Sequence, residues 1–137
     1  MSGKPSPDFL DTNVLVYIAT GDLEKAERSE KLLREGATIS VQVLNELANV
    51  GRRKMALSWP EVYTLLGTVR LLVTVVPVSI ETHKTGLRLA ERYGCAMYDS
   101  MIIAAALLAG CARLWSEDMH DGLVVEDRLT IRNPFRD

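Results

Sequence analysis

Short β-branched or aromatic stretches alternate along the chain with longer segments whose apolar residues recur at helical spacing. The first pattern is that of buried strands and the second that of amphipathic helices. Phe9-Leu10 reads as the end of a first strand, with Asp11 at its C-terminal tip. Asn13 to Ala19 can begin a helix, which Gly21-Asp22 breaks. Leu23 to Glu35 predicts a helix closed by Gly36 at the C′ position. Its pairs Glu24/Arg28, Glu27/Lys31 and Glu30/Arg34 place each acid one turn before its base, the stabilising order on an exposed face. This charge run therefore reads as solvated surface rather than as a binding site.

Ala37 to Ser40 follows as a strand, and Ser40 can cap the next helix, where Val43, Leu44, Leu47 and Val50 form an apolar stripe with Glu46 beside it. Ser58-Trp59-Pro60-Glu61 is a helix start with a capping box and an early proline. Val73 to Val78 is β-branched and strand-like, and Ser79 caps a helix that runs to Tyr93 and ends at Gly94. Asp99 to Ala109 is the most apolar helix, stopped by Gly110 and expected to be buried on most sides. Asp99 then falls in its first turn, where the helix dipole favours a carboxylate. Arg113 to Ser116 is a strand with Glu117-Asp118 just past its end, and Leu123 to Ile131 adds a last strand or hairpin. This alternation predicts a mainly parallel sheet covered by helices on both faces. Ligands bind such sheets outside the C-terminal strand ends, where Asp11 and Asp118 fall.

The length of 137 residues favours one domain, with residues 1–7 expected to be flexible. An apolar content of 47% suffices for a core. The net charge of −2 excludes a basic nucleic-acid coat, so contact with an acidic polymer needs local patches or bound metal. Cys95 and Cys111 have neither zinc-ligand spacing nor a CxxC partner and read as reduced thiols of a cytoplasmic protein. The N-terminal segment does not read as a signal peptide, because Asp11 interrupts its apolar stretch. The longest apolar run, Met101 to Ala112, contains a glycine and is too short to span a bilayer.

Against this background four acids are oddly placed. Asp11, Glu46, Asp99 and Asp118 lie inside or at the edge of apolar segments, where carboxylates are rarely buried unless paired. Singly, each has a structural explanation. Asp11 and Asp99 suit helix N-caps, Glu46 a solvated stripe edge, and Asp118 a turn near Asp121-Gly122. If the four converge, their repulsion requires protons or a cation, since two carboxylates 4 Å apart repel by about 4 kcal/mol at an effective dielectric of 20. Oxygen donors with no accompanying His/Cys set suit Mg²⁺ or Mn²⁺, ions that serve phosphodiester chemistry.

The segments Phe9-Leu10-Asp11-Thr12-Asn13-Val14-Leu15-Val16-Tyr17, Ser40-Val41-Gln42-Val43-Leu44-Asn45-Glu46-Leu47, Tyr98-Asp99-Ser100-Met101-Ile102-Ile103-Ala104-Ala105-Ala106 and Leu114-Trp115-Ser116-Glu117-Asp118-Met119-His120-Asp121-Gly122 occur in that order, with a closing Ile131-Arg132-Asn133-Pro134-Phe135. Through them the chain resembles the PIN-domain ribonucleases, and more closely the stand-alone VapC-type toxins of prokaryotic toxin–antitoxin pairs. The resemblance runs from about residue 8 to 135. It implies a single PIN domain, a three-layer α/β/α fold with a mainly parallel, about five-stranded sheet, and a Mg²⁺- or Mn²⁺-dependent endoribonuclease. By motif, the metal-site acids are Asp11, Asp99 and Asp118, with Glu46 acting directly or through water. Asn13 would hydrogen-bond within the site, Ser116 would orient Asp118 or a water, and Asp121 is a candidate fifth acid for a second metal. Glu117 occupies the family's variable position. Cleavage would leave a 5′-phosphate and a 3′-hydroxyl. The implied partners are RNA, a homodimer mate and a small antitoxin that covers the active site.

Arg52, Arg53 and Lys54 close the helix that carries Glu46. They can grip an RNA backbone or simply complement the helix dipole. Arg88 and Arg92 are weaker candidates of the same kind. His83 and His120 read as surface residues, with His120 near enough to Asp118 for an accessory role. Trp59 and Trp115 read as core or interface residues. Three other functions compete: a PIN nuclease of RNA processing or decay without an antitoxin, a non-catalytic metal- or RNA-binding PIN-like module, and a phosphate-accepting receiver domain. The last normally needs a late lysine, and this chain has none after Lys84.

Overall fold

A computed structural model of the chain describes residues 6–20 and 22–136. In chain order the elements are strand β1 (Asp8–Leu10), helix α1 (Thr12–Val16) continued by a 3₁₀ turn (Tyr17–Ala19), α2 (Leu23–Arg34), β2 (Ala37–Ser40), α3 (Val41–Arg53), α4 (Trp59–Leu72), β3 (Val73–Val76), α5 (Ile80–Tyr93), α6 (Met97–Leu108), β4 (Arg113–Trp115), β5 (Val124–Val125) and β6 (Leu129–Arg132). The strands form one sheet in the order β3-β2-β1-β4-β6-β5. Every pairing is parallel except β5 with β6. The sixth strand, one more than expected, is the two-residue β5 of the terminal hairpin.

The sheet is covered on both faces. Phe9 and Leu10 point to opposite faces of β1 and both are fully buried, and all four residues of β2 are buried. Val14 and Leu15 of α1, Val43 and Leu47 of α3, and Ile102 and Ile103 of α6 close the core around these strands. The apolar helix is the central one: Ser100 to Leu107 are all buried. It begins at Met97 rather than at Asp99, with Ala96 as N-cap, so Asp99 is not a cap but the third residue of the helix. Close packing of α5 on α6 depends on Gly86, where a β-carbon would stand 2.5 Å from Met101 Sδ.

The helix starts follow the sequence signals. Ser40, Ser58 and Ser79 each accept an N–H from the residue three positions on, and Ser58 and Ser79 complete capping boxes. Gly94 closes α5 with φ 69°. One expectation needs correction: the Glu24/Arg28, Glu27/Lys31 and Glu30/Arg34 pairs are not among the ion pairs of the described residues. The Arg28 Nε donates to Pro134 O at 3.0 Å and its guanidinium covers the Trp115 ring, because a fixed carbonyl and an aromatic face outweigh a weak exposed pair. Of the core and interface readings of Trp59, its 57% exposure fits the second. Within residues 1–7, Ser6 Oγ donates to Gly36 O, and Pro7 O accepts from Ala112 N and Arg113 N. Residues 1–5 and Gly21 lie outside the described residues.

Candidate active site

Strands β1 and β4 are parallel neighbours, yet the chain continues from them toward opposite sides of the sheet, β1 toward β2 and β4 toward β6. At such a switch point the loops leaving the strand ends diverge and open a cleft. Asp11 directly follows β1, and Ser116 to Asp118 follow β4. The ladder extends into both loops, Asp11 N donating to Trp115 O at 3.0 Å and Ser116 N to Arg132 O at 2.9 Å. Helix α3 leaves β2 without a loop and carries Glu46 to the same place, and the first turn of α6 brings Asp99. All four acids line one cleft of about 420 Å³, together with Thr12, Asn13, Tyr17, Asn49 and Lys54.

The four carboxylates are held in different ways. Asp11 is only 5% exposed. Its Oδ1 accepts the Thr12 N–H at 2.7 Å, and its Oδ2 accepts from Ser116 Oγ at 2.8 Å and Asn13 Nδ2 at 3.2 Å. Glu46 is bonded through both oxygens, accepting from Thr12 Oγ1 at 2.7 Å and Gln42 Nε2 at 3.0 Å. Asp99 is half-buried and Asp118 exposed, and none of the hydrogen bonds or ion pairs among the described residues engages either side chain. Burial pushes the Asp11 carboxyl up to about 6, against the pull of the Ser116 and Thr12 hydrogen bonds, and Asp99 and Glu46 push it the same way. Asp99 is raised above the usual carboxylate range by burial first, then by Asp118 and Glu46. Each acid thus feels the charge of others.

A hard cation suits this donor set, which offers only oxygen and carries repulsion that a cation relieves. Among the described residues, no three His, Cys, Asp or Glu groups already converge on a single point as ligands. Asp11 and Glu46 are bonded to neutral donors, and the oxygen-only donor set of the cleft is of the kind that suits a divalent cation.

The remaining candidates separate. Asn13 belongs to the site, donating to Asp11 and accepting Glu117 N–H at 3.1 Å. Ser116 is fully buried, and besides donating to Asp11 it accepts the backbone N–H of Asp118 and of Met119. It therefore places the Asp118 backbone rather than its carboxylate. Of the three bases ending α3, only Lys54 lines the cleft. Arg52 lies over the Trp59 ring and donates to Leu57 O, and Arg53 is exposed outside the cleft. Arg88 and Arg92 both grip Glu126 at the hairpin turn. Asp121 accepts Asn133 N–H at 2.8 Å between Arg132 and Arg136 and does not line the cleft. His83 and His120 are exposed, and His120 borders a separate hollow whose far wall includes Asp99. Trp115 is half-buried and donates to Asp8.

Two residues missed by the sequence reading hold Glu46. Gln42 lies one turn before it on α3, a spacing that was legible, and also donates to Tyr98 O beside Asp99. Thr12 reaches it from another element, which no local pattern shows.

Comparison with known proteins agrees with this architecture. None of the curated proteins matches the sequence significantly. Among solved structures, a toxin–antitoxin complex from Klebsiella pneumoniae is similar with a TM-score of 0.68 at 16% identity, over 95% of this chain and 99% of that one. VapC20 of Mycobacterium tuberculosis, a sarcin–ricin-loop-cleaving toxin, gives 0.64 at 16% identity over 78% and 86% of the two chains. VapBC2 of Rickettsia felis, bound to a DNA fragment from its promoter, gives 0.61 at 21% identity over 81% and 87%. These likenesses establish the fold. The PIN domain family model matches residues 9–120, a span that includes all four acids of the cleft, and the chain belongs to the PIN domain family.

Proposed function

We propose that the chain is a divalent-metal-dependent endoribonuclease and the toxin of a toxin–antitoxin pair. The observation that carries the reading is the meeting of Asp11, Glu46, Asp99 and Asp118, from four separate segments, in one cleft at the switch point of the sheet. When bound, Mg²⁺ or Mn²⁺ supplies positive charge for the scissile phosphate and acidity for the attacking water. The residues do the rest. Asp11 is set by Ser116, Asn13 and the Thr12 amide, so its carboxylate keeps its direction without a cationic neighbour. Glu46, bonded through both oxygens, orients a water in the cleft. Lys54 meets the RNA backbone where it enters.

The toxin reading is supported by the similar structures, one of them a toxin–antitoxin complex and another a toxin by description. A small antitoxin covering the cleft, a homodimer and a cytoplasmic setting belong to the same proposal. Among the described residues no helix is long and apolar enough to cross a membrane. A non-catalytic metal- or RNA-binding module is the second reading, since the same four acids can hold a cation without turnover. Sequencing RNA ends after expression of wild type and Asp99→Asn decides between them. The nuclease reading expects new 5′-phosphate ends that require Asp99, and the toxin reading expects a cognate antitoxin to suppress them. Equal cleavage by the variant sinks the nuclease reading.

A further inference from the structure

We propose that Lys25, on a helix none of whose residues lines the acidic cleft, is a positioning residue for Asp118. The inference rests on the reading of Asp118 as a metal-holding acid. Asp118 lies in the loop leaving β4, and two anchors hold that loop from inside. Ser116 Oγ accepts the N–H of Asp118 at 3.2 Å and of Met119 at 3.3 Å, and Asn13 Oδ1 accepts the N–H of Glu117. The outer side is held through the Glu117 side chain. Its Oε1 accepts from the Tyr17 hydroxyl at 2.6 Å, and its Oε2 accepts from Lys25 Nζ.

Lys25 is itself enclosed. Its ammonium is 3.2 Å from the Tyr17 oxygen, 4.7 Å from the Tyr17 ring centre and 5.2 Å from that of Phe135, and the two rings meet edge to face. The Lys25 and Glu117 side chains are 33% and 26% exposed, a partly exposed pair that the Tyr17 hydroxyl joins. The arrangement does two things. It ties the loop bearing Asp118 to α2 and to the C-terminal segment. It also neutralises a fifth carboxylate outside the cleft, leaving the four cleft acids to a cation. Without Lys25, Glu117 would be an uncompensated charge beside Asp118, with the Tyr17 hydroxyl as its remaining side-chain partner among the described residues. Residues that orient metal ligands typically change affinity or activity by roughly 10–100-fold.

The test compares wild type with Lys25→Met, Lys25→Arg, Glu117→Gln, the double variant K25M/E117Q and the charge swap K25E/E117K. Amide hydrogen exchange in metal-free protein and Mn²⁺ titration by calorimetry are the readouts. In Lys25→Met the Glu117 to Met119 amides should exchange about tenfold faster and Mn²⁺ should bind about tenfold more weakly. Glu117→Gln should match it, the double variant should be no worse than either single one, and Lys25→Arg and the charge swap should recover most of the loss. The melting temperature of metal-free protein should move little. Unchanged exchange and Mn²⁺ affinity in Lys25→Met, or losses that simply add in the double variant, overturn the proposal. Wild-type protein that binds no Mn²⁺ overturns both this proposal and the metal reading. Wild type that binds Mn²⁺ but leaves RNA intact overturns only the nuclease reading.

Discussion

Strand β1 carries a carboxylate at each end, and the two have opposite surroundings. Asp8, at the start, accepts from Arg113 Nε at 2.6 Å and Nη2 at 3.2 Å, from its register partner on β4. Asp11, past the end, accepts only from a hydroxyl, a side-chain amide and a backbone N–H. A guanidinium fixes a carboxylate and also neutralises it. Neutral donors fix it and leave its charge available. The same division runs through the molecule: Glu117 and Glu126 have cationic partners, while the cleft acids have none among the described ion pairs. The paired carboxylates join distant segments of the chain, and the four cleft acids keep their charges out of such pairs.

If that division is functional, Asp11→Asn should lower RNA cleavage by roughly a thousandfold, beyond the 10–100-fold typical of residues that only orient a ligand. Asp8→Asn should leave single-turnover cleavage within a few-fold, and equal losses from both variants would erase the distinction. The next effect is on stability. The Asp11 pKa lies at about 6 in the fold against 3.8 in the unfolded chain. The folded state therefore binds more protons between these values, and the contribution of Asp11 to stability falls as pH rises from about 4 to 6, by roughly 3 kcal/mol in all. Urea titrations in EDTA at pH 4.5 and pH 7 check the sign after correction for the other acids, which a matched series on Asp11→Asn provides.

Cation should reverse this loss. Mn²⁺ at a hundred times its Kd should stabilise the protein by about 2.7 kcal/mol at pH 7, and by less near pH 5, where protons compete. A melting temperature unmoved by saturating Mn²⁺ at pH 7 would count against the centre. Ser116→Ala removes the hydroxyl that donates to Asp11 and receives the loop amides. It should raise the Asp11 pKa above 6 and slow cleavage about tenfold, with NMR titration of the carboxyl as the check. The smallest expected change is Arg113→Ala. Its partly exposed pair with Asp8 should contribute about 1 kcal/mol or less, with no change in cleavage by the folded protein.

Much of this was legible in the chain because the signals are local. The serine caps, Gly36 and Gly94 as helix ends, and the unbroken apolar face of α6 all follow from preferences that act within a few residues. The four acids stood out for the same reason, as charges inside apolar runs. Side chains long enough to choose among distant partners were not legible. Arg28 leaves its helical neighbour Glu24 for Pro134 and Trp115, and Arg88 and Arg92 both pair with Glu126 at the hairpin turn. Arg52 covers Trp59 while Lys54, two residues on, lines the cleft. Asp121 shares a motif with Asp118 but turns to Asn133.

What the chain alone determined is the succession of elements, the burial of the central strands and helix, and the identity of the acids, because hydrophobic period and capping are properties of short segments. Only the tertiary structure decided which acids keep their charge available. That depends on the β1–β4 switch point, on Ser116 reaching Asp11 across 105 positions, and on Lys25 drawing Glu117 away from the cleft across 92. Such pairings arise when distant segments meet, and no local propensity encodes them.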